Sequence, residues 1–273
     1  MHSIATTAHA PAPLRSRHWQ QVISGTYFPL ELDFRDVESF DGRLELWQLG
    51  AVSLSRLTSD GLSYVRERRH LSAEVDEHYL VTVPALSDVQ FAQCGQQIRC
   101  RPGGFILERS HEPYEFAHAD RNDLWVLKVP ATALAGQLRS PDRFCTLQFD
   151  AQTGVGRLFV DFLSLLPARF DALSAQARVL FGRQLVDLMV LAVREDARTL
   201  TSAASAVREA HLTRIEAFVR RRLADPGLDP QTIAAGCGIS VRYLHALFRD
   251  TGRSGASGRS ASPSPTAFSV AGG

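Results

Sequence analysis

Between Leu44 and Val129 the chain repeats one pattern, an apolar residue at every second position in short runs broken by turn residues. Leu44-Glu45-Leu46-Trp47-Gln48-Leu49 alternates, and so does Val52-Ser53-Leu54-Ser55-Arg56-Leu57. A period of two sends successive side chains to opposite faces of a strand, which a helix cannot satisfy. Residues 79–83 are rich in β-formers, and Gly95 and Gly103-Gly104 mark turns. Trp125, Leu127 and Val129 share one face of a last strand. Many short strands at close spacing predict a small antiparallel barrel or sandwich.

The period then changes. Residues 130–138 read as a short helix, and 154–170 and 174–194 as longer ones with leucine-rich faces. Leu180, Phe181, Leu185, Leu188 and Leu191 form the stripe of the last, fitted either to internal packing or to a dimer seam. Upstream of the strands, residues 15–25 predict a helix burying Trp19, Val22 and Ile23, after a flexible arm over 1–14. The expected division is a sensor-like domain over 15–198, a Ser/Ala-rich linker over 199–207, a small helical domain over 208–251 and a tail over 252–273. The fold class is thus α+β with a small all-α domain appended.

That helical domain carries the sharpest local signal. Asp229-Pro230 supplies an N-cap and a first-turn proline. Ile233 and Ala234 form an apolar face, and Gly236-Cys237-Gly238 reads as a tight turn. Ser240 caps a second helix whose Leu244, Leu247 and Phe248 fall at i, i+3 and i+4. Its other face presents Arg242, Tyr243, His245, Ala246 and Arg249. This is a helix-turn-helix pattern, with Arg242 and His245 placed for base edges and Arg249 for a phosphate. An ordinary helical hairpin with a polar outer face has the same pattern.

Composition excludes several classes. Of 273 residues 45% are hydrophobic and 22% charged, with net charge +1, so a packed core is easily formed and only a local basic patch could serve a nucleic acid. Lys128 is the only lysine. Cys94, Cys100, Cys145 and Cys237 form no CxxC pair, and reduced thiols in a cytoplasm are the expectation. Residues 1–13 lack a signal-peptide pattern, and no apolar run reaches membrane-spanning length. No nucleophile elbow or phosphate-binding glycine loop occurs, and Gly154-Val155-Gly156 lacks a dinucleotide fingerprint. His111, Glu112, Glu115 and His118 are the candidates for a metal-dependent enzyme, but the two histidines are seven positions apart and no third joins them. Arg220-Arg221-Arg222 reads as a solvated helix face or a phosphate contact.

Ala234, Gly238, Ser240, Leu244, Phe248 and Gly252 match the spacing of the first helix-turn-helix of AraC-type transcription regulators. The order of parts, with Phe28-Pro29-Leu30, Pro113-Tyr114-Glu115 and Leu127-Lys128-Val129-Pro130, resembles the subgroup with an arabinose-binding-like sensor domain. The resemblance implies a cupin-like barrel, double-stranded DNA and RNA polymerase as partners, a small-molecule effector, a homodimer, and usually activation. It implies no cofactor and no enzyme activity. His78, Tyr79 and Trp125 are the expected effector-lining residues. Two departures stand out. Ala246 occupies a position that often carries arginine in the family, and a second helix-turn-helix is expected after Gly252. Residues 252–273 instead hold six serines, five glycines and two prolines, which predicts a disordered tail, explained by a frameshift or early stop. The other readings are a binding or dimerisation module acting as a passive inhibitor, and a metal-dependent cupin enzyme.

Overall fold

The computed structural model describes residues 1–71, 76–138, 141–196, 211, 214–215, 218–219, 221–222, 225 and 227–245. The chain divides into two units, Met1–Ala206 and Val207–Gly273. The expected linker and tail lie outside the described residues.

Among the described residues of the first unit the alternating runs form twelve strands. They are β1 (His2–Thr6), β2 (Glu31–Phe34), β3 (Gly42–Leu49), β4 (Val52–Ser59), β5 (Leu62–Arg66), β6 (His78–Pro84), β7 (Val89–Gln93), β8 (Gln96–Cys100), β9 (Gly104–Arg109), β10 (Tyr114–His118), β11 (Asn122–Pro130) and β12 (Gln148–Asp150). They pair in two sheets, β1-β3-β4-β11-β6-β9-β12 and β2-β5-β10-β7-β8. All the strand pairs are antiparallel.

The strand parity builds two cores. Inward residues of both sheets, such as Leu57, Tyr64, Leu80, Phe91, Ile106, Phe116 and Val126, pack into one cluster, closed at one end by Trp19 and Ile23 of helix α1 (Arg15–Thr26). The opposite face of the larger sheet packs Trp47, Leu54, Val81, Leu107 and Leu127 against helices. These are the one-turn α2 (Ala131–Leu134), α3 (Gly154–Leu165) and α4 (Ala175–Glu195). Strand β11 contributes Leu124 and Val126 to the first core and Trp125, Leu127 and Val129 to the second. At ~1.5–3 kcal/mol per buried aliphatic side chain, such a two-sided strand is a main anchor of the unit.

Several expectations need correcting. The N-terminal arm is a strand, because His2–Thr6 pairs residue for residue with Trp47–Arg43 of β3. Fully buried Thr7 fixes its end, donating to Asp41 and Gly42 O and accepting from Gly42 N. The 154–170 helix stops at Leu165, since Pro167 cannot donate the next hydrogen bond, and continues as a 3₁₀ turn, Pro167–Ala172. Ser174 caps α4 by accepting from Ala177 N (3.2 Å). The buried stripe of α4 runs through Leu185, Val186, Met189, Val190 and Val193, whereas Leu180 and Leu191 are exposed. The four cysteines are free, with Cys94 in the β7–β8 turn and Cys100 at the far end of β8.

Candidate functional site

Two places gather chemistry that the fold itself does not require. The first is a cavity of about 40 Å³ between the sheets of the first unit, room for a few water-sized groups. Its walls are mostly apolar, with Leu57, Leu80, Phe116 and Val126 among them. Five polar residues also line it: Glu108 on β9, Thr82 on β6, Tyr64 on β5, Tyr114 on β10, and Tyr27 just after α1.

The Glu108 carboxyl is 3% exposed and accepts one short hydrogen bond, from the Thr82 hydroxyl. Desolvation raises its pKa from 4.5 to about 7, opposed by that bond. Among the described residues no arginine, lysine or histidine forms an ion pair with it. Ser55 Oγ donates to Val126 O (3.2 Å), so Tyr27 Oη must be the donor in its 2.5 Å contact with Ser55. The Tyr64 hydroxyl is buried near Ser59 and Trp19 Nε1 but makes no well-formed hydrogen bond, and the Trp19 N–H is unpaired as well. Burial keeps the phenols of Tyr27, Tyr64 and Tyr114 protonated far beyond neutral pH.

Three sequence elements that are far apart in the chain meet beside this cavity. Phe28 lies edge-on to Tyr114 at 6.3 Å. The Arg66 guanidinium stacks on Phe28 (4.1 Å) while donating to Ser110 O (2.9 Å) and Pro29 O. Lys128 Nζ donates to Tyr27 O (2.5 Å) and lies 5.6 Å from the Phe28 ring centroid. The basic residues therefore hold the Tyr27–Pro29 segment beside the cavity.

The residues expected to line an effector site lie elsewhere. Tyr79 and Trp125 belong to the core on the opposite face of the sheet, where Tyr79 Oη donates to Asp142 (2.6 Å) and Trp125 carries the Arg56 guanidinium at 5.1 Å. His78 stands half-buried at the start of β6, its Nδ1 3.1 Å from Asp76 O. Sequence reasoning misses Glu108 and the three tyrosines because it shows the two faces of a strand, not which one meets the other sheet.

His111 Nδ1 contacts Ser110 Oγ (3.0 Å), and Glu112 pairs with Arg109 (3.7 Å). Glu115 faces out from β10, and buried His118 sits 2.9 Å from Asp120 O, its pKa lowered by desolvation. Among the described residues no three His, Cys, Asp or Glu side chains are grouped to hold a metal ion. No described helix is long and apolar enough to cross a membrane.

The second place is in the second unit. Helix α5 (Pro230–Gly236) starts at Asp229, whose carboxylate accepts from Thr232 N (2.7 Å). The turn is narrower than the sequence suggested. Gly236 ends the helix, Cys237 is buried in the core, and only Gly238 takes a left-handed backbone (φ 62°). Ser240 Oγ accepts from Tyr243 N (3.1 Å), and Leu244 N donates to Ser240 O (2.9 Å), opening a helix at residues 241–245. Leu244 packs with Ile215, Ala234 and Cys237. That packing leaves Ser240, Arg242 and His245 exposed. Tyr243 is turned partly inward, its ring 5.5 Å from that of His211. Ala246 and Arg249 lie outside the described residues.

Comparison with known proteins agrees with this layout. Residues 19–194 match the AraC-binding-like domain. The transcriptional activator NphR of Rhodococcus sp. is 30% identical over 210 residues, covering 74% of this chain and 61% of NphR, so the chain spans less than two thirds of that activator. An uncharacterized protein in the nit 5' region of Bacillus sp. (strain OxB-1) is 22% identical over 249 residues, 89% of this chain and 96% of its own. The crystal structure of the AraC-like transcriptional activator CuxR superimposes with a TM-score of 0.60 at 17% identity, covering 92% of this chain and 90% of CuxR, and shows the same fold. With its two-sheet N-terminal unit matched from residue 19 to 194, the chain belongs to the AraC-binding-like domain family.

Proposed function

We propose that this chain is a DNA-binding transcription regulator, acting as an activator, whose sensor unit takes a small effector in the cavity beside Glu108. The observation that carries the reading is the second unit's exposed face. Arg242 and His245 stand exposed in the first turns of a helix that Ser240 caps and Leu244 anchors, the part of a recognition helix that meets base edges. Arg242 suits a guanine edge and His245 an acceptor; Arg249, further along, suits a phosphate. Tyr243 supports the helix through His211.

The effector acts by biasing populations. It has to favour the DNA-competent arrangement over the other by its own difference in affinity. Leu158 and Leu165 on α3 and Leu180 and Leu191 on α4 are 43–66% exposed, and rings of Phe162 and Phe181 join the two helices at 5.4 Å. This apolar face suits a second copy of the chain, and a homodimer doubles the contacts to DNA. RNA polymerase is the partner through which an activator of this kind acts.

The test is a footprint. Sheared genomic DNA of the source organism is selected on the purified full chain and the retained fragments are mapped. A short protected site is expected, whose retention weakens with salt and is weaker on Arg242→Ala. Uniform retention of all fragments, unchanged by Arg242→Ala, contradicts it. A passive module that dimerises without retaining DNA is the second outcome, and it too contradicts sequence reading by this face.

A further inference from the structure

We infer that the molecule taken by the sensor cavity is a compact organic amine, with its ammonium group seated on the Glu108 carboxylate. This rests on the reading of that cavity as the effector site.

A carboxyl group offers about four acceptor positions when ionised. In this cavity one of its oxygens takes the Thr82 hydroxyl, and nothing else among the described residues is bonded to it. The titratable groups that couple to it are Tyr27 after α1, Tyr64 on β5, Tyr114 on β10, Cys100 on β8, and Cys145 before β12. All five are raised by burial and neutral at physiological pH, so none supplies a balancing positive charge. The nearby basic side chains are engaged with backbone carbonyls: Arg66 with Ser110 and Pro29, Lys128 with Tyr27.

The rest of the wall fits the same ligand. Aromatic rings of Tyr27, Tyr64, Tyr114 and Phe116 line the cavity, and ring faces attract cations. The buried Tyr64 hydroxyl has no well-formed partner and is available to a ligand N–H. Leu57, Leu80 and Val126 provide an apolar wall for a short hydrocarbon body. An anionic ligand meets a carboxylate there, and a neutral one gains nothing from the ionised form of Glu108.

The test compares three probes that share an isobutyl group, isobutylamine, isobutanol and isovalerate, titrated against the full chain and followed by protein NMR and thermal shift at pH 6, 7 and 8. The amine is expected to bind about tenfold tighter than the alcohol at pH 8, with isovalerate weakest. Because the ammonium requires ionised Glu108, its affinity falls about tenfold between pH 8 and pH 6, while that of the alcohol stays level. Glu108→Gln brings the amine and the alcohol to within about twofold. Should that variant fail to fold, the pH series on the unmodified chain decides alone. Equal binding of alcohol and amine, or amine affinity that does not change with pH, overturns the inference and leaves the cavity as a binding site. Binding of none of the three removes both the inference and the cavity reading.

Discussion

Replacing Glu108 by glutamine isolates the electrostatic cost built into the sensor cavity. In the folded chain the carboxyl titrates near pH 7, raised by burial from 4.5. A proton is therefore bound more tightly in the folded state than in the unfolded one. The stability tied to it is fully present below pH 4.5 and is lost as pH rises toward 7. At ~1.4 kcal/mol per pH unit, the full loss is about 3 kcal/mol, of which about 2–3 kcal/mol falls between pH 5 and pH 8. The substituted amide has nearly the same volume, keeps an oxygen for Thr82 and does not titrate. Urea denaturation of both proteins at pH 5, 6, 7 and 8, followed by circular dichroism, measures the difference. The variant should gain on the parent steadily from pH 5 to 7 and then level off. A difference that stays constant across the range refutes the assignment of an uncompensated buried carboxyl.

Three further outcomes follow from the packing. A Cβ on Gly236 comes 2.2 Å from the Phe218 ring, so Gly236→Ala should lower the melting temperature of the second unit although alanine is the better helix former; a rise contradicts the contact. Ser240→Ala removes the acceptor for Tyr243 N and should cost about 1 kcal/mol, read by denaturation of the full chain with a probe on the second unit. Leu185→Ala, at a fully buried site, should destabilise the first unit by about 2–5 kcal/mol, whereas Leu180→Glu with Leu191→Glu should leave its melting intact and shift sedimentation from dimer to monomer.

Much of this architecture is legible along the chain because it depends on local pattern. Trp19 and Ile23 lie four apart and both are buried on α1, and Asp229 and Ser240 cap the helices they precede. The misreadings come from pairings between distant segments. Nothing in His2–Thr6 names Trp47–Arg43 as its partner, so a strand reads as a loose arm. Leucines cover several sides of α4, so the stripe reads through Leu180 and Leu191 rather than through Val186 and Val190. Glu108 lies in a strand that is buried continuously from Gly104 to Glu108, so no alternation marks its face. Its burial arises from the register of β9 against β6, Glu108 opposite Leu80, and from the five-stranded sheet that covers that face. The cavity is therefore a product of topology, and sequence parity alone could not choose Glu108 and the three tyrosines over Tyr79 and Trp125.

Sequence reading by the face that holds Arg242 and His245 is measured by comparing the sites selected from random duplexes by the unmodified chain and by Arg242→Ala. A base-reading arginine contributes about 1–3 kcal/mol of discrimination at its own position. Arg242→Ala is expected to lose preference at one base pair, most simply a guanine, while preferences elsewhere and the salt dependence change little. Identical selected sites for both proteins, or no selection by the unmodified chain, contradict it.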